Sequence, residues 1–167
     1  GVCLCAAAGN EAEARHHTGG VLTAGDAPGQ LDLKVGERAG DVYLAIWNTV
    51  ADRVSVSVRS PSGELVGRVP ARPGVDPAAD VKLVLEAARV QVEYHFPVEG
   101  SGGQLTVVRI LGATPGVWTI GLHADILLNG QYQAWLPMTG FVSPSVEFLA
   151  ATPDHTITCP ATAVGVI

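Results

Sequence analysis

Short runs of alternating apolar and polar residues, broken by clusters of Gly, Pro, Asn and Ser, dominate the middle of the chain. A period of two sends successive side chains to opposite faces of a strand, so this pattern predicts an antiparallel β-sandwich with one wet side to each sheet. Val54, Val56 and Val58 share a face against Ser55, Ser57 and Arg59, while Val90, Val92, Tyr94 and Phe96 alternate with Gln91, Glu93 and His95. Further strands are expected at Gln30 to Val35, Asp41 to Asn48, Gln104 to Leu111, Val117 to Ala124 and Gln131 to Leu136. Turn formers at Ser60-Pro61-Ser62-Gly63, Thr114-Pro115-Gly116 and Asn129-Gly130 predict three hairpins. Val69 to Ala79 reads as a long surface loop and Ala78 to Arg89 as a short helix.

The two ends differ from this middle. Gly1 to Ala8 and Thr162 to Ile167 are apolar on both alternating faces, as in strands buried between two layers. Both ends read as cut from a larger sheet, and residues 1–8 and 162–167 are expected to pair in parallel with each other or with a second copy in a dimer.

Composition narrows the class. With 167 residues, 47% of them hydrophobic and only 16% charged, the chain folds as one main domain rather than staying disordered. The net charge of −6 comes from scattered acids, so no basic face recommends a nucleic acid or an anionic membrane as partner. Cys3, Cys5 and Cys159 are an odd number and do not form a disulfide-scaffold pattern; they read as buried free thiols. No cofactor is expected.

Ala6-Ala7-Ala8-Gly9-Asn10-Glu11, placed after a buried strand, resembles the subtilisin-like serine protease segment whose asparagine donates a hydrogen bond to the developing oxyanion. Pro160-Ala161-Thr162-Ala163-Val164-Gly165-Val166-Ile167 resembles the return of that family into its next core strand. The segments Arg15 to Gly20, Ser60 to Glu64, Pro115 to Ile120 and Asn129 to Pro137, together with Trp47, extend the resemblance to bacterial subtilases of the spore-germination type, which carry an inserted jelly-roll domain. That resemblance implies a jelly-roll-like sandwich flanked by two strands of a parallel α/β protease core. It implies residues 1–17 as the end of a core strand with the oxyanion-hole loop, 18–158 as the insert, and 159–167 as the return into the core. Asn10 would then be the oxyanion-hole donor, with Ala7, Ala8 and Gly9 lining the substrate pocket. An acyl-transfer site needs such a donor because negative charge develops on the carbonyl oxygen.

No counterpart of the aspartate, His-Gly-Thr or Gly-Thr-Ser-Met-Ala motifs exists in the 167 residues, so these residues alone do not cut peptides. The expected partners are the remainder of the protease catalytic domain, its prodomain, and a peptide or protein substrate, in an extracellular or spore-associated setting. A carbohydrate- or protein-binding sandwich module, or part of a catalytically inactive subtilase homologue, remains as an alternative. His16 and His17 are adjacent without an acidic or thiol partner at ligand spacing and are read as junction residues, not metal ligands. His95, His123 and His155 are assigned no chemistry. Trp118 shares a face with Ile120 and Leu122 and belongs to the core, whereas Trp135 and Trp47 are candidates for surface contact. Asp26, Asp32, Asp41, Asp76, Asp80 and Asp125 are too dispersed for a calcium cage and are read mostly as solvated turn residues.

Overall fold

The computed structural model describes residue 9 and residues 11–157, apart from residues 26, 73, 75 and 76. After a single turn of 3-10 helix, Glu11–Glu13, the described chain is built from β-strands: β1 His17–Val21, β2 Gly29–Val35, β3 Val42–Asn48, β4 Arg53–Arg59, β5 Leu65–Val69, β6 Ala79–Lys82, β7 Arg89–His95, β8 Gln104–Leu111, β9 Gly116–Ile126, β10 Gln131–Trp135 and β11 Val146–Phe148. One sheet runs β1-β10-β3-β8-β7-β6 and the other β11-β2-β9-β4-β5, and every pairing between named strands is antiparallel. The β-sandwich expected from the alternation is therefore present. The two flanking core strands, residues 1–8 and 162–167, and their pairing lie outside the described residues, as do Cys3, Cys5 and Cys159.

Alternation determines what fills the space between the sheets. Val54, Val56 and Val58 are buried, and Val90, Val92 and Tyr94 meet them from the opposite sheet together with Leu44, Ile46, Val108 and Ile110. Trp118, Ile120 and Leu122 are also buried, and the Trp118 indole donates to the Thr114 carbonyl at 3.0 Å. Fully burying side chains of this size contributes about 1.5–3 kcal/mol each.

Polar side chains from the first sheet cross the core to mend irregularities in the second. Pairing of β4 with β5 begins only at Val56, and its register shifts between Val56 and Val58. Tyr94 of β7 accepts a hydrogen bond from the Val56 N–H at 2.9 Å and donates to the Val69 carbonyl at 2.7 Å. Beyond the end of that pairing, the Gln104 amide of β8 takes the place of a strand at Val54. It accepts from the Val54 N–H at 3.1 Å and donates to the Val54 carbonyl at 2.7 Å. Buried backbone groups need such partners, and here a neighbouring side chain supplies them.

Several expectations are corrected by the topology. Only the β4–β5, β6–β7 and β7–β8 connections are hairpins among the described residues. Thr114-Pro115-Gly116 and Asn129-Gly130 instead carry the chain from one sheet to the other, because a turn former fixes local direction and not the partner of the next strand. The helix expected at Ala78 to Arg89 is absent: Ala79–Lys82 pairs with β7, and the N–H groups of Val84, Leu85 and Glu86 are held by the Glu64 carboxylate. The wet face of β4 is dry at Ser55, which is fully buried beneath Arg68 and Asp125. Nor are the acids mainly in turns: Asp32, Asp80 and Asp125 lie on β2, β6 and β9, engaged by Thr119, Arg89 and Arg68 respectively. Asp26 and Asp76 lie outside the described residues.

Candidate functional site

The segment from Glu11 to Thr18 is tied to two other parts of the chain. On one side the Leu136 N–H donates to the His16 carbonyl at 2.9 Å, and the Glu11 carboxylate accepts from the Thr139 N–H at 3.2 Å. On the other, Arg15 donates to the carbonyls of Phe148 and Leu149 at 2.9 and 2.6 Å and pairs with Glu147 at 3.2 Å. The Thr152 N–H donates to the His17 carbonyl at 2.9 Å, and the Thr18 hydroxyl to the Ala150 carbonyl at 2.7 Å. Segments 15–18 and 147–152 are thus hydrogen-bonded to one another. Arg15 adopts a left-handed backbone, φ 58°, that turns its carbonyl onto the Phe148 N–H.

The register His17 with Trp135 brings an imidazole and an indole together on neighbouring strands, with ring centroids 5.0 Å apart. His155 closes edge-on against His17 at 5.5 Å, and the Trp135 indole N–H donates to its carbonyl at 3.3 Å. Both His17 nitrogens are engaged: Nε2 lies 2.8 Å from Gln133 Oε1, and Nδ1 lies 2.9 Å from the Thr152 hydroxyl and 3.4 Å from the Thr152 carbonyl. Gly19 is required for this arrangement, because a Cβ there would collide with the Gln133 side chain. His17 is buried, with both ring nitrogens within hydrogen-bond distance of partners among the described residues.

Around this aromatic group lies a pocket of ≈ 390 Å³ lined by Glu11, His16, His17, Trp135, Leu136, Met138, His155, Thr156 and Ile157. Its rim is exposed and apolar: Ile157 is 59% exposed and Met138 51%, and Phe141 follows on the same turn at 78%. Burial alone would raise the Glu11 carboxyl, but hydrogen bonds from Thr139 and His16 outweigh it and hold Glu11 below its ordinary value. The His16 Nδ1 to Glu11 Oε2 distance is 3.1 Å. Among the described residues, no group of three or more His, Cys, Asp or Glu side chains is placed to hold a metal ion.

Asn10, Ala7 and Ala8 lie outside the described residues, and Gly9 is exposed with φ 93°, a left-handed conformation that suits glycine. What the described residues assemble is a pocket that includes Glu11, the residue that follows Asn10 in the sequence. Of its members only Trp135 is expected from the sequence as a surface contact, with His16 and His17 at a junction. His155, Met138, Ile157 and Glu11 escape sequence reasoning because none carries a spacing signal. The exposed apolar pair Met138 and Phe141, on a Pro-Met-Thr-Gly-Phe turn where polar residues are the rule, is the one local hint.

No protein-family model matches the chain, and no curated protein matches it. Among solved structures, the chain is similar to that of the Clostridium perfringens CspB protease, with 27% sequence identity and a TM-score of 0.78. The likeness covers 96% of this chain and 32% of that one, so the chain spans about a third of the length of the protease it matches. This supports a subtilisin-like relationship.

Proposed function

We propose that this chain is the jelly-roll insert of a subtilisin-like serine endopeptidase together with the core segments that flank it, and that the insert docks on the protease body through the His17–Trp135 pocket. The observation that carries the proposal is the likeness to the CspB protease across 96% of this chain. Residues 1–17 are the end of a protease core strand with the oxyanion-hole loop, 18–158 the insert, and 159–167 the return. Asn10 donates to the oxyanion in the intact enzyme, and Ala7, Ala8 and Gly9 line the pocket for the residue before the scissile bond. The partners are the rest of the catalytic domain, its prodomain and a peptide or protein substrate; germination of bacterial spores is the matching setting.

Geometry supports this reading in two ways. An insert that leaves its host sheet intact must enter and leave at neighbouring points, and segments 15–18 and 147–152 are hydrogen-bonded to one another. The exposed apolar rim at Met138, Phe141 and Ile157 flanks those same segments, where a docking surface is needed.

The test is peptide hydrolysis by the full-length protein carrying Asn10→Ala. Removing one oxyanion donor from an acyl-transfer enzyme lowers kcat by roughly 10²–10³-fold with little change in KM. Unchanged kcat, or a full-length wild-type protein without peptidase activity, would overturn the assignment.

A further inference from the structure

The six-stranded sheet ends at β6 on the side away from β1, and Asp80, Val81 and Lys82 of that strand are exposed. β6 pairs with β7 from Ala79 opposite Val92 to Lys82 opposite Arg89, and just beyond it the Leu83 N–H donates to the Ala88 carbonyl at 2.8 Å. Hydrogen-bonded positions alternate along an antiparallel ladder, so Ala79 and Val81 direct their backbone groups at β7 while Asp80 and Lys82 direct theirs outward. No strand among the described residues takes up that outer edge. Side chains alternate by face as well. Val81 stands across from the fully buried Val90, at the margin of the core and 37% exposed, whereas Asp80 and Lys82 share the outer face of the sheet.

Charge makes this edge complementary to its own sequence. A second copy of β6, laid antiparallel across a twofold axis at Val81, sets Asp80 opposite Lys82 of the second copy and Lys82 opposite Asp80 of the second copy. These are the positions whose N–H and C=O groups point outward, so ladder hydrogen bonds and ion pairs fall on the same residues. Lys82 makes no ion pair among the described residues, and Asp80, which already accepts from Arg89 and Gln91, has lone pairs left for a further donor. Val81 meets Val81 of the second copy at the close, non-hydrogen-bonded position and extends the core past Val90. The neighbouring registers that keep the ladder place Lys82 opposite Lys82 or Asp80 opposite Asp80, and like charges directly across strands oppose pairing. Charges on a short edge strand ordinarily keep other strands away; here they disfavour the neighbouring registers and favour this one.

We infer that this chain forms a symmetric dimer through antiparallel β6–β6 pairing, which joins the six-stranded sheets of two copies into one continuous sheet. Strand addition of this kind takes its affinity from main-chain hydrogen bonds and its selectivity from the side chains beside them. An unrelated extended peptide would satisfy the same backbone groups, but only a strand with the Asp-Val-Lys order also pairs both charges. The chain after β6 adds an apolar contact: Val84 is 82% exposed, its N–H is held by the Glu64 carboxylate, and the register carries it toward Ala78 of the second copy. β1 and β6 lie at opposite edges of the sheet, so the dimer leaves the His17–Trp135 pocket open and is independent of the protease assignment.

Sedimentation velocity of the full-length protein, from micromolar to near-millimolar concentration, tests this. The expected result is a monomer–dimer equilibrium that shifts toward the dimer as concentration rises. Lys82→Asp, at an exposed side chain, should weaken the dimer at least about tenfold, because it sets carboxylates opposite one another. Exchanging the charges, Asp80→Lys together with Lys82→Asp, should restore it to within about threefold of wild type. Opposite charges then face each other again, and the carboxylate moved to position 82 stands across from Arg89 within its own chain. A protein that stays monomeric throughout the range, a dimer that Lys82→Asp leaves unchanged, or a charge exchange that fails to restore association would overturn the inference.

Discussion

Replacing Asp52 with Ala is the sharpest perturbation of the sandwich that the structure offers. Asp52 is fully buried at the start of β4, and its carboxylate gathers the β9–β10 crossover by accepting from the N–H groups of Leu128, Asn129 and Gly130 at 2.6, 3.0 and 2.7 Å. The Thr49 hydroxyl donates to it as well, at 3.1 Å. Leu128 and Asn129 are exposed, so in Asp52→Ala water replaces the carboxylate at their N–H groups. Gly130 is buried and its N–H is orphaned, at a cost of roughly 1–3 kcal/mol; with partial losses at the other donors the total is about 3 kcal/mol. For a domain of this size that lowers Tm by about 6–12 °C. Burial alone would raise the Asp52 pKa, but the N–H groups of Leu128, Asn129 and Gly130 and the Thr49 hydroxyl outweigh it and hold it below the ordinary 3.8. A depressed folded value contributes stability that is fully present above the ordinary pKa and is lost as pH falls through the folded one. Scanning calorimetry should therefore find a wide gap between wild type and Asp52→Ala near neutral pH that narrows in acid. A Tm loss below about 2 °C at neutral pH, or a gap that persists unchanged near pH 2, would refute the reasoning.

Two further perturbations address other polar devices. Tyr94→Phe strands the Val56 N–H and the Val69 carbonyl in the core, so the urea midpoint should fall by an amount equivalent to about 1–3 kcal/mol with the m-value unchanged. Equal midpoints would show that the β4–β5 irregularity needs no outside partner. Glu86 is held down to about 2, first by the Thr114 hydroxyl and, against the opposing effect of burial, by the Ser62 hydroxyl and N–H. Its favourable contribution is present above the ordinary 4.5 and lost as pH falls through about 2, and Thr114→Val should move the carboxyl up toward 4.5 in an NMR titration. No movement would remove Thr114 as the cause.

The strands legible in the sequence are those whose alternation is strict and long, such as Val54 to Val58 and Gln104 to Leu111, because their inner faces meet a core on every second residue. β1, β5, β6 and β11 escape the same reasoning. β1 reads His-Thr-Gly-Gly-Val and β6 lies at an edge with three of its four residues exposed, so neither carries the apolar period that announces a strand. Sheet assignment is equally hidden. The Asn129-Gly130 crossover is held by Asp52, 78 residues away from Gly130, a contact that no local pattern announces. The pocket could not be read because it depends on register: His17 faces Trp135 only once β1 is paired with β10, and His155 arrives from another segment altogether.

The position of Glu11 gives the two distant parts of the chain a physical connection. It follows Asn10 directly, and its carboxylate is held by His16 and by the N–H of Thr139, so the backbone one residue past the proposed oxyanion donor is anchored to the sandwich. An oxyanion donor is effective only when it is preorganised, since reorienting it during the reaction would consume the stabilisation it provides. A loop that carries more than a hundred inserted residues would be a poor place for such a donor if its root were free, even though the entropy of closing a long loop grows only slowly with length. Stitching the root removes that difficulty. Arg15 to Phe148, His17 to Thr152 and Thr18 to Ala150 join the outgoing and returning segments where the sandwich begins. In the proposed protease the sandwich would act on catalysis through Glu11, by limiting how far Asn10 can move, and it would do so without contributing an atom to the reacting site.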